Sequence, residues 1–482
     1  MPDVVVVGAG PTGLAVAGLL AQYGIGVTVL DRYAEPYPRP RAVHLDGEAV
    51  RVLQRLGVHE RFAAISRPAT GLRLLDASLR PFAVFRRDTG PGRHGHPEAN
   101  LFDQPDLESL LRADLPVRGG VDVTAVGERH VTARHLDTGL VERIPADAVL
   151  GCDGAASLVR DAIGSRMRDR GFAQRWLVVD LRCPIPLENR GGVDQVCDPR
   201  RAATFLHLTG DRYRVEFRMH DGESGAGLDL PALLAPWVSP GGYTVVRRAE
   251  YTFRAQVADR WRRGRVLLLG DAAHLMPPFI GQGLGAGLGD AHNLAWKLAE
   301  VLHGRSAEDL LDTYQAERAP HVDAVIRTAV RVGRAMTGGN GLLAALRRPA
   351  VAGLLRLPGA EARALDGIAT RHPPSAWVDR RVRRGDLPGT VCPQPLVRLD
   401  GRSVLLDDVL GPGFSLLRAG PVDDGLLGRA RAFGARTVDL APSGADRVIS
   451  DDGTLRAWMH RGRVTAVLLR PDRVVAAVTR CR

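Results

Sequence analysis

The chain has 482 residues, 45% of them hydrophobic and 25% charged, the composition of a soluble globular protein with room for two or three domains. Its formal charge of +11 is carried almost wholly by arginines scattered among acids, with Lys297 the only lysine. Without a basic stripe interleaved with aromatics, nucleic acid is excluded as the expected partner, and no apolar run approaches the roughly 20 residues needed for membrane insertion.

Residues 4–7 are four consecutive valines, suited to a buried parallel strand. The turn Gly8-Ala9-Gly10-Pro11-Thr12-Gly13 follows. A helical segment over residues 11–23 and a second strand over 26–30 complete a βαβ unit. In such a turn Gly8 permits the tight bend, Gly10 lets a pyrophosphate approach the backbone, and Gly13 lets helix and strand pack closely, while Ala9 and Thr12 fill out the phosphate-facing loop. The helix N-terminus offers unpaired N–H groups to the phosphates. Asp31, at the end of the second strand, is placed to accept from ribose hydroxyls. The alternative is a glycine-rich turn that binds nothing.

Residues 107–115 read as a short helix, and 148–151 as a strand leading into Asp153-Gly154-Ala155-Ala156-Ser157. Residues 176–181 and 213–218 alternate in strand fashion without long helices after them, which predicts an antiparallel layer inserted into the first domain. Residues 266–269 are again a buried-strand run. They feed a glycine-rich loop, a helix over 284–302, and a helical pattern that continues to about residue 348. Residues 358–385 read as a linker rich in Pro, Gly and Arg, and 386–482 as a small C-terminal domain. The five cysteines (Cys152, Cys183, Cys197, Cys392 and Cys481) form no CxxC pair and no metal-type spacing. Free thiols in a reducing cytoplasm are the expectation, and no metal is expected.

The loop from Gly270 to Gly283 selects among dinucleotides. Asp271 follows a strand, where a carboxylate meets a sugar-alcohol chain, and Pro277 and Pro278 stiffen the backbone beside a flat ring. Gly281 and Gly283 then expose amides at the start of the next helix. Reduced flavin is negative near N1 and O2, and a helix N-terminus stabilises that charge. The cofactor expected is therefore FAD. The bland reading is a loop that opens a buried helix.

Over residues 1–350 these motifs, in this order, resemble the group A flavoprotein monooxygenases, the family of p-hydroxybenzoate and phenol hydroxylases. The segments 174–180, 195–201, 251–253 and 257–261 are similar to the 3-(3-hydroxyphenyl)propionate hydroxylase branch, and aromatic polyketide hydroxylases share the core motifs. The resemblance implies an α/β fold: a Rossmann-like FAD-binding domain of the p-hydroxybenzoate hydroxylase type over residues 1–72, 98–170 and 259–357. A substrate-binding sheet over 73–97 and 171–258 is inserted in it, and the C-terminal domain is thioredoxin-like. It also implies Asp31 and Arg32 near adenosine and pyrophosphate, and Arg41 and Gln104 at the phosphate and ribitol region. Asp153 and Arg160 belong to a motif associated with both FAD and the nicotinamide nucleotide. Gly270 and Asp271 would meet the ribitol, while Pro278, Gly281, Gln282, Gly283, Leu284 and Gly285 would frame the isoalloxazine. Relatives often carry Asn where this chain has Gly285, so a side-chain contact near the flavin is in doubt. Each polar residue has a plain alternative as a helix cap or loop bridge.

The implied reaction uses NADH or NADPH, molecular oxygen and a flavin C4a-hydroperoxide to hydroxylate a small aromatic substrate, either an aromatic catabolite or a polyketide-type secondary metabolite, in a monomer or homodimer. A phenol is activated by losing its proton, which makes His44 the candidate base, against its reading as a satisfied histidine at a helix start. His274 reads as structural. Arg182, Arg200, Arg201, Arg214 and Arg218 either bind a substrate carboxylate or coat a sheet. Baeyer–Villiger oxygen insertion into a ketone, or a flavin-binding redox sensor, are the alternatives.

Overall fold

The valine run makes up all but the first residue of the strand Asp3–Val7, with Val4 through Val7 buried. This strand pairs in parallel with Gly26–Leu30 on one side and Ala148–Gly151 on the other. Ala148–Gly151 pairs in parallel with Val266–Leu268, and Val117–Arg118 and Arg262–Arg263 form the edges of this six-stranded sheet. The turns that follow residues 7, 151 and 268 therefore leave the sheet at one end. That is the C-terminal end of parallel strands, where open α/β sheets bind ligands. Helix Pro11–Gln22 packs against the long helix Gly283–Leu302, and both join the main core. The computed structural model describes residues 3–37, 42–187, 192–337, 371–379, 386–440, 449 and 451–481.

The alternating segments form the centre of an eight-stranded sheet. Its order is His274–Leu275, Thr244–Ala258, Met167–Arg182, Arg212–Arg218, Ala203–His207, Val193–Val196, Gly71–Leu75, Pro81–Arg86. Every pairing is antiparallel except one, because Val193–Val196 runs parallel to Gly71–Leu75. The two segments enter the sheet from distant parts of the chain, so no hairpin constrains their direction. Along Arg212–Arg218, Tyr213, Val215 and Phe217 join Leu177, Val179 and Leu181 in an apolar cluster under the short helix Leu230–Leu234. The alternate residues Asp180, Arg214 and Glu216 are buried on the opposite face, as a period of two requires.

Helix Asp312–Thr337 follows the long helix; the rest of the helical pattern expected up to residue 348 lies outside the described residues. Of the expected linker only 371–379 is described. It is pinned, with Ser375 Oγ donating to Glu317 Oε1 at 2.6 Å and Asp379 N to Ala476 O at 2.9 Å. The C-terminal part has the hairpin Leu396–Leu399/Arg402–Leu405 and a four-stranded sheet ordered Arg436–Asp439, Ser415–Arg418, Val464–Leu469, Val475–Arg480. Its own apolar clusters lie on the two sides of that sheet's inner strands.

Burial pulls the imidazoles of His96 and His292 down to about 4 and that of His372 to about 3, with Arg318 and Arg470 adding to the effect at His372. Each folded-state value lies below the ordinary histidine value near 6.5, so the unfolded chain binds more protons between the two. Stability from these groups is complete above pH ~6.5 and is lost as the pH falls toward about 4. A denaturant titration at pH 5.5 is expected to give an unfolding free energy lower than at pH 7.5 by roughly 1 kcal/mol per histidine. Equal values would show that the three imidazoles are solvated.

Candidate active site

Three turns meet at the C-terminal end of the six-stranded sheet. In the first, Gly8 has φ +105°, and a Cβ there would lie 2.4 Å from Cys152 O. A Cβ on Gly13 would lie 2.0 Å from Gly8 O, so the helix could not close on the strand with any larger residue. Gly10 differs: a Cβ there would meet no protein atom within 4 Å. Its side of the backbone is open at the N-terminus of helix Pro11–Gln22, which no side chain caps. Unpaired N–H groups with an open approach suit an anionic phosphate. The Asp31 carboxylate accepts from Ala9 N at 2.6 Å and from Tyr33 N at 2.8 Å, so it braces the turn from the neighbouring strand. Arg32 is exposed and pairs with Asp122 at 2.8 Å.

The second turn carries Asp153, which is committed locally. Its carboxylate accepts from Ser157 Oγ at 2.5 Å and from Val159 N at 3.1 Å. Arg160 is 8% exposed and donates to Ala155 O at 3.0 Å and Ala272 O at 3.3 Å. It straps the second turn to the third.

The third turn begins at Gly270, whose N–H donates to Asp290 Oδ2 at 3.1 Å. The same oxygen lies 2.7 Å from His274 Nε2, and Arg318 Nε donates to Asp290 Oδ1 at 2.8 Å. Burial pushes the Asp290 carboxyl up, but His274 and Arg318 outweigh it and hold the group below the ordinary carboxylate range. His274 is thus structural, as expected from its place after the Gly-Asp pair. Asp271 is half-buried beside it. Pro277 and Pro278 carry the chain to Gly281, at φ +64°, and then Gln282 opens helix Gly283–Leu302, again without a side-chain cap. Leu284 is half-buried, and Gly285 lies in that first turn near Gln282 and Ala49. Two uncapped helix N-termini, on helices packed against each other, therefore lie together at this end of the sheet. They match a cofactor with two anionic regions, the pyrophosphate and the N1–O2 edge of reduced flavin.

His44 lies against the third turn. It lies in the short strand His44–Leu45, and its Nδ1 donates to Gly281 O at 3.2 Å. A carbonyl only accepts, so the neutral ring carries its proton on Nδ1 and keeps Nε2 as acceptor. Burial lowers the His44 pKa, Asp46 offsets part of this, and Arg87 adds to it. Gln104 Oε1 accepts from Ala42 N at 2.7 Å, holding the segment just before His44, and its Nε2 donates to Glu108 at 2.7 Å. Arg41 lies outside the described residues. Among the described residues, the three turns and His44 come together, while Arg32 faces outward. Asp290 and Arg318, which fix the third turn, were not singled out in the sequence, because neither belongs to a short motif.

The family model described as "FAD binding domain" matches residues 1–196 and 242–329, and "HcaD C-terminal domain" matches 389–482. A "Probable NADH-specific resorcinol 4-hydroxylase" of Rhodococcus jostii is 33% identical over 99% of this chain and 92% of its own length. A "3-(3-hydroxy-phenyl)propionate/3-hydroxycinnamic acid hydroxylase" of Mycolicibacterium gilvum is 34% identical over 98% of this chain and 88% of its own. Among solved structures, aklavinone-11 hydroxylase with FAD and aklavinone superposes with a TM-score of 0.80 at 24% identity, covering 100% of this chain and 96% of that one, a likeness of fold. With a matched FAD-binding region spanning more than half its length and full-length relatives at a third identity, the chain belongs to the FAD-dependent aromatic hydroxylases of the group A flavoprotein monooxygenase family.

Proposed function

We propose that this hydroxylase adds one atom of dioxygen to the ring of a phenol, with NADH as reductant and water as the second product. The observation that carries the reading is that two uncapped helix N-termini, with His44 held at Gly281 O, lie together at the C-terminal end of the parallel strands. Bound FAD, once reduced, supplies the oxygen-activating chemistry. The chain's own residues do the rest. Gly8, Ala9, Gly10, Thr12 and Gly13 receive the pyrophosphate, with Asp31 at the ribose. Asp271 and the 278–285 segment hold the ribitol and ring. His44 Nε2 takes the phenolic proton, which makes the ring electron-rich. Both full-length relatives are named hydroxylases of phenolic compounds, and the first is named NADH-specific. Neither ketone oxygenation nor a sensor role has comparable support.

The test is NADH consumption by the purified yellow protein with a panel of phenols, measured with peroxide and product together. A product one oxygen heavier in step with NADH supports the reading. Peroxide alone with every phenol, or a protein that binds no FAD, overturns it. His44→Gln is expected to lower kcat by about a hundredfold or more while flavin content stays the same. In the unaltered enzyme kcat/KM should fall as the pH drops through the lowered His44 pKa, since protonation removes the acceptor. A variant whose pH profile keeps that acid limb would rule His44 out as the base.

We also infer a thioredoxin-like C-terminal domain. Its strands and helices run Ser415–Arg418, Asp424–Ala432, Arg436–Asp439, Thr454–Arg461, Val464–Leu469, Val475–Arg480, a βαβαββ order. The first two strands are parallel and the last two antiparallel, with the first strand central. Without CxxC its role is structural rather than thiol exchange.

A further inference from the structure

His44 is held by little of its own. Its strand is two residues long, and among the described residues its side chain makes one hydrogen bond, to Gly281 O at 3.2 Å. A base must stand within about 2.6–3.2 Å of the proton it takes, and a misplacement of ~1 Å can cost a hundredfold in rate. The place of His44 therefore depends on what holds residues 45 and 46.

One hold comes from the helix that follows. Asp46 caps helix Gly47–Arg55 by accepting from Ala49 N at 2.8 Å, and that helix packs against helix Gly283–Leu302. Its polar side chains Arg51 and Gln54 reach the C-terminal domain. Buried Arg51 is bidentate to Asp407, at 2.8 and 3.0 Å, and donates to Cys392 O at 2.6 Å. Gln54 donates to Asp408 Oδ1 at 2.8 Å and accepts from Gln394 Nε2 at 2.9 Å. Burial pushes the Asp407 carboxyl up, but Arg51 and Arg473 outweigh it and hold the group far below the ordinary carboxylate range, so the pair with Arg51 stays ionic.

The second hold runs through residues 92–97. Gln394 N donates to Arg93 O at 2.9 Å, and Gln394 Nε2 to His94 O at 2.7 Å. At the far end of this segment Pro97 O accepts from Asn100 Nδ2 at 2.9 Å, and the same amide group donates to Leu45 O at 3.3 Å. Cys392, Gln394, Asp407 and Asp408 all lie within 389–482, the region matched by the C-terminal family model. Residues 45 and 46, directly after His44, are thus tied to the C-terminal domain along two separate routes. A buried ion pair adds little net stability over an apolar contact of the same size, whereas its fork fixes orientation closely. Orientation is what a catalytic base requires.

We propose that Arg51 and Gln394 are positioning residues for His44, through which the C-terminal domain takes part in hydroxylation by setting where the base stands. This rests on the hydroxylase reading above, with His44 as its base.

The test is a double-variant cycle on the holoenzyme, using whichever phenol of the panel gains oxygen fastest. Arg51→Lys keeps the buried charge and loses the fork. It is expected to lower kcat by about tenfold while KM stays within about threefold and flavin content is unchanged. In a His44→Gln background the same substitution should change kcat by less than about twofold, because the residue it acts through is gone. Gln394→Met examines the second route in the same two backgrounds, and carries the test should Arg51→Lys fail to fold. Unchanged kcat in the folded variants overturns the proposal. So does an equal loss with and without His44, which is the mark of general loosening. If His44→Gln alone keeps full kcat, the base assignment and the proposal fall together while hydroxylation stands. Failure of the hydroxylase reading shows separately, in an unaltered enzyme that adds oxygen to no phenol.

Discussion

Replacing Glu317 with leucine is expected to lower the unfolding free energy by about 3–5 kcal/mol, the cost of breaking a buried ion pair from one side. Glu317 is fully buried. Its Oε2 accepts from Lys297 Nζ at 2.8 Å, Asn293 Nδ2 at 2.9 Å and Arg470 Nη2 at 2.9 Å. Its Oε1 accepts from Arg470 Nη1 at 2.8 Å and Ser375 Oγ at 2.6 Å. Burial alone would raise the carboxyl's pKa, but Arg470 and Lys297 reverse that and hold it well below the ordinary range. In the leucine variant Arg470 keeps Asp472, at 2.9 Å from Nε. Lys297, with no exposed surface, keeps only neutral neighbours among the described residues, Asn293 Oδ1 at 2.8 Å and the Trp296 ring at 5.7 Å. The chain's single lysine would then be an unanswered charge. Glu317→Leu combined with Lys297→Met should therefore recover much of the loss, because the two effects share one cause. Denaturant unfolding of the single and double variants checks this. A double variant no more stable than the single one would show that lost packing, not stranded charge, sets the cost.

The second large effect is at Gly13. Alanine there would place a Cβ 2.0 Å from Gly8 O and 3.2 Å from Cys152 Cβ, both in the crowded junction of helix and strand. The helix must shift away from the turn, at a stability cost of about 1–3 kcal/mol. The N–H groups proposed to receive the pyrophosphate shift with it, so Gly13→Ala should be purified largely colourless. Gly10→Ala separates the two consequences. Its Cβ meets no protein atom, so the flavin-free protein should melt at the unaltered temperature while FAD affinity falls by about tenfold or more. Equal FAD affinity in Gly10→Ala would mean that the cofactor's phosphates lie elsewhere.

The parts of this fold legible in the sequence are those built from contacts close along the chain. The valine run, the glycine turn and the strand at Gly26–Leu30 form a local unit, and the helix after Gln282 begins within a residue of its expected start. Side-chain partners were not legible. The Arg160 strap reaches Ala272, and the Asp290–Arg318 brace joins two helices to a loop, with no spacing rule to announce either. The parallel pairing of Val193–Val196 with Gly71–Leu75 was missed for the same reason.

The side-by-side arrangement of strands from residues 3, 148 and 266 also bears on how the protein is made. During synthesis the first glycine turn emerges hundreds of residues before the helix that faces it. Until the strand Val266–Leu268 arrives, Ala148–Gly151 has an open apolar edge. Until helix Gly283–Leu302 has left the ribosome, the second helix N-terminus proposed to hold FAD is missing. Cofactor capture is thus a late event, after long-range pairing of the slow kind, and the bolt at Glu317 waits longer still, for Arg470 near the end of the chain. For most of its synthesis this enzyme is a chain whose sheet edge must be shielded, and flavin supply acts on the finished fold rather than guiding its formation.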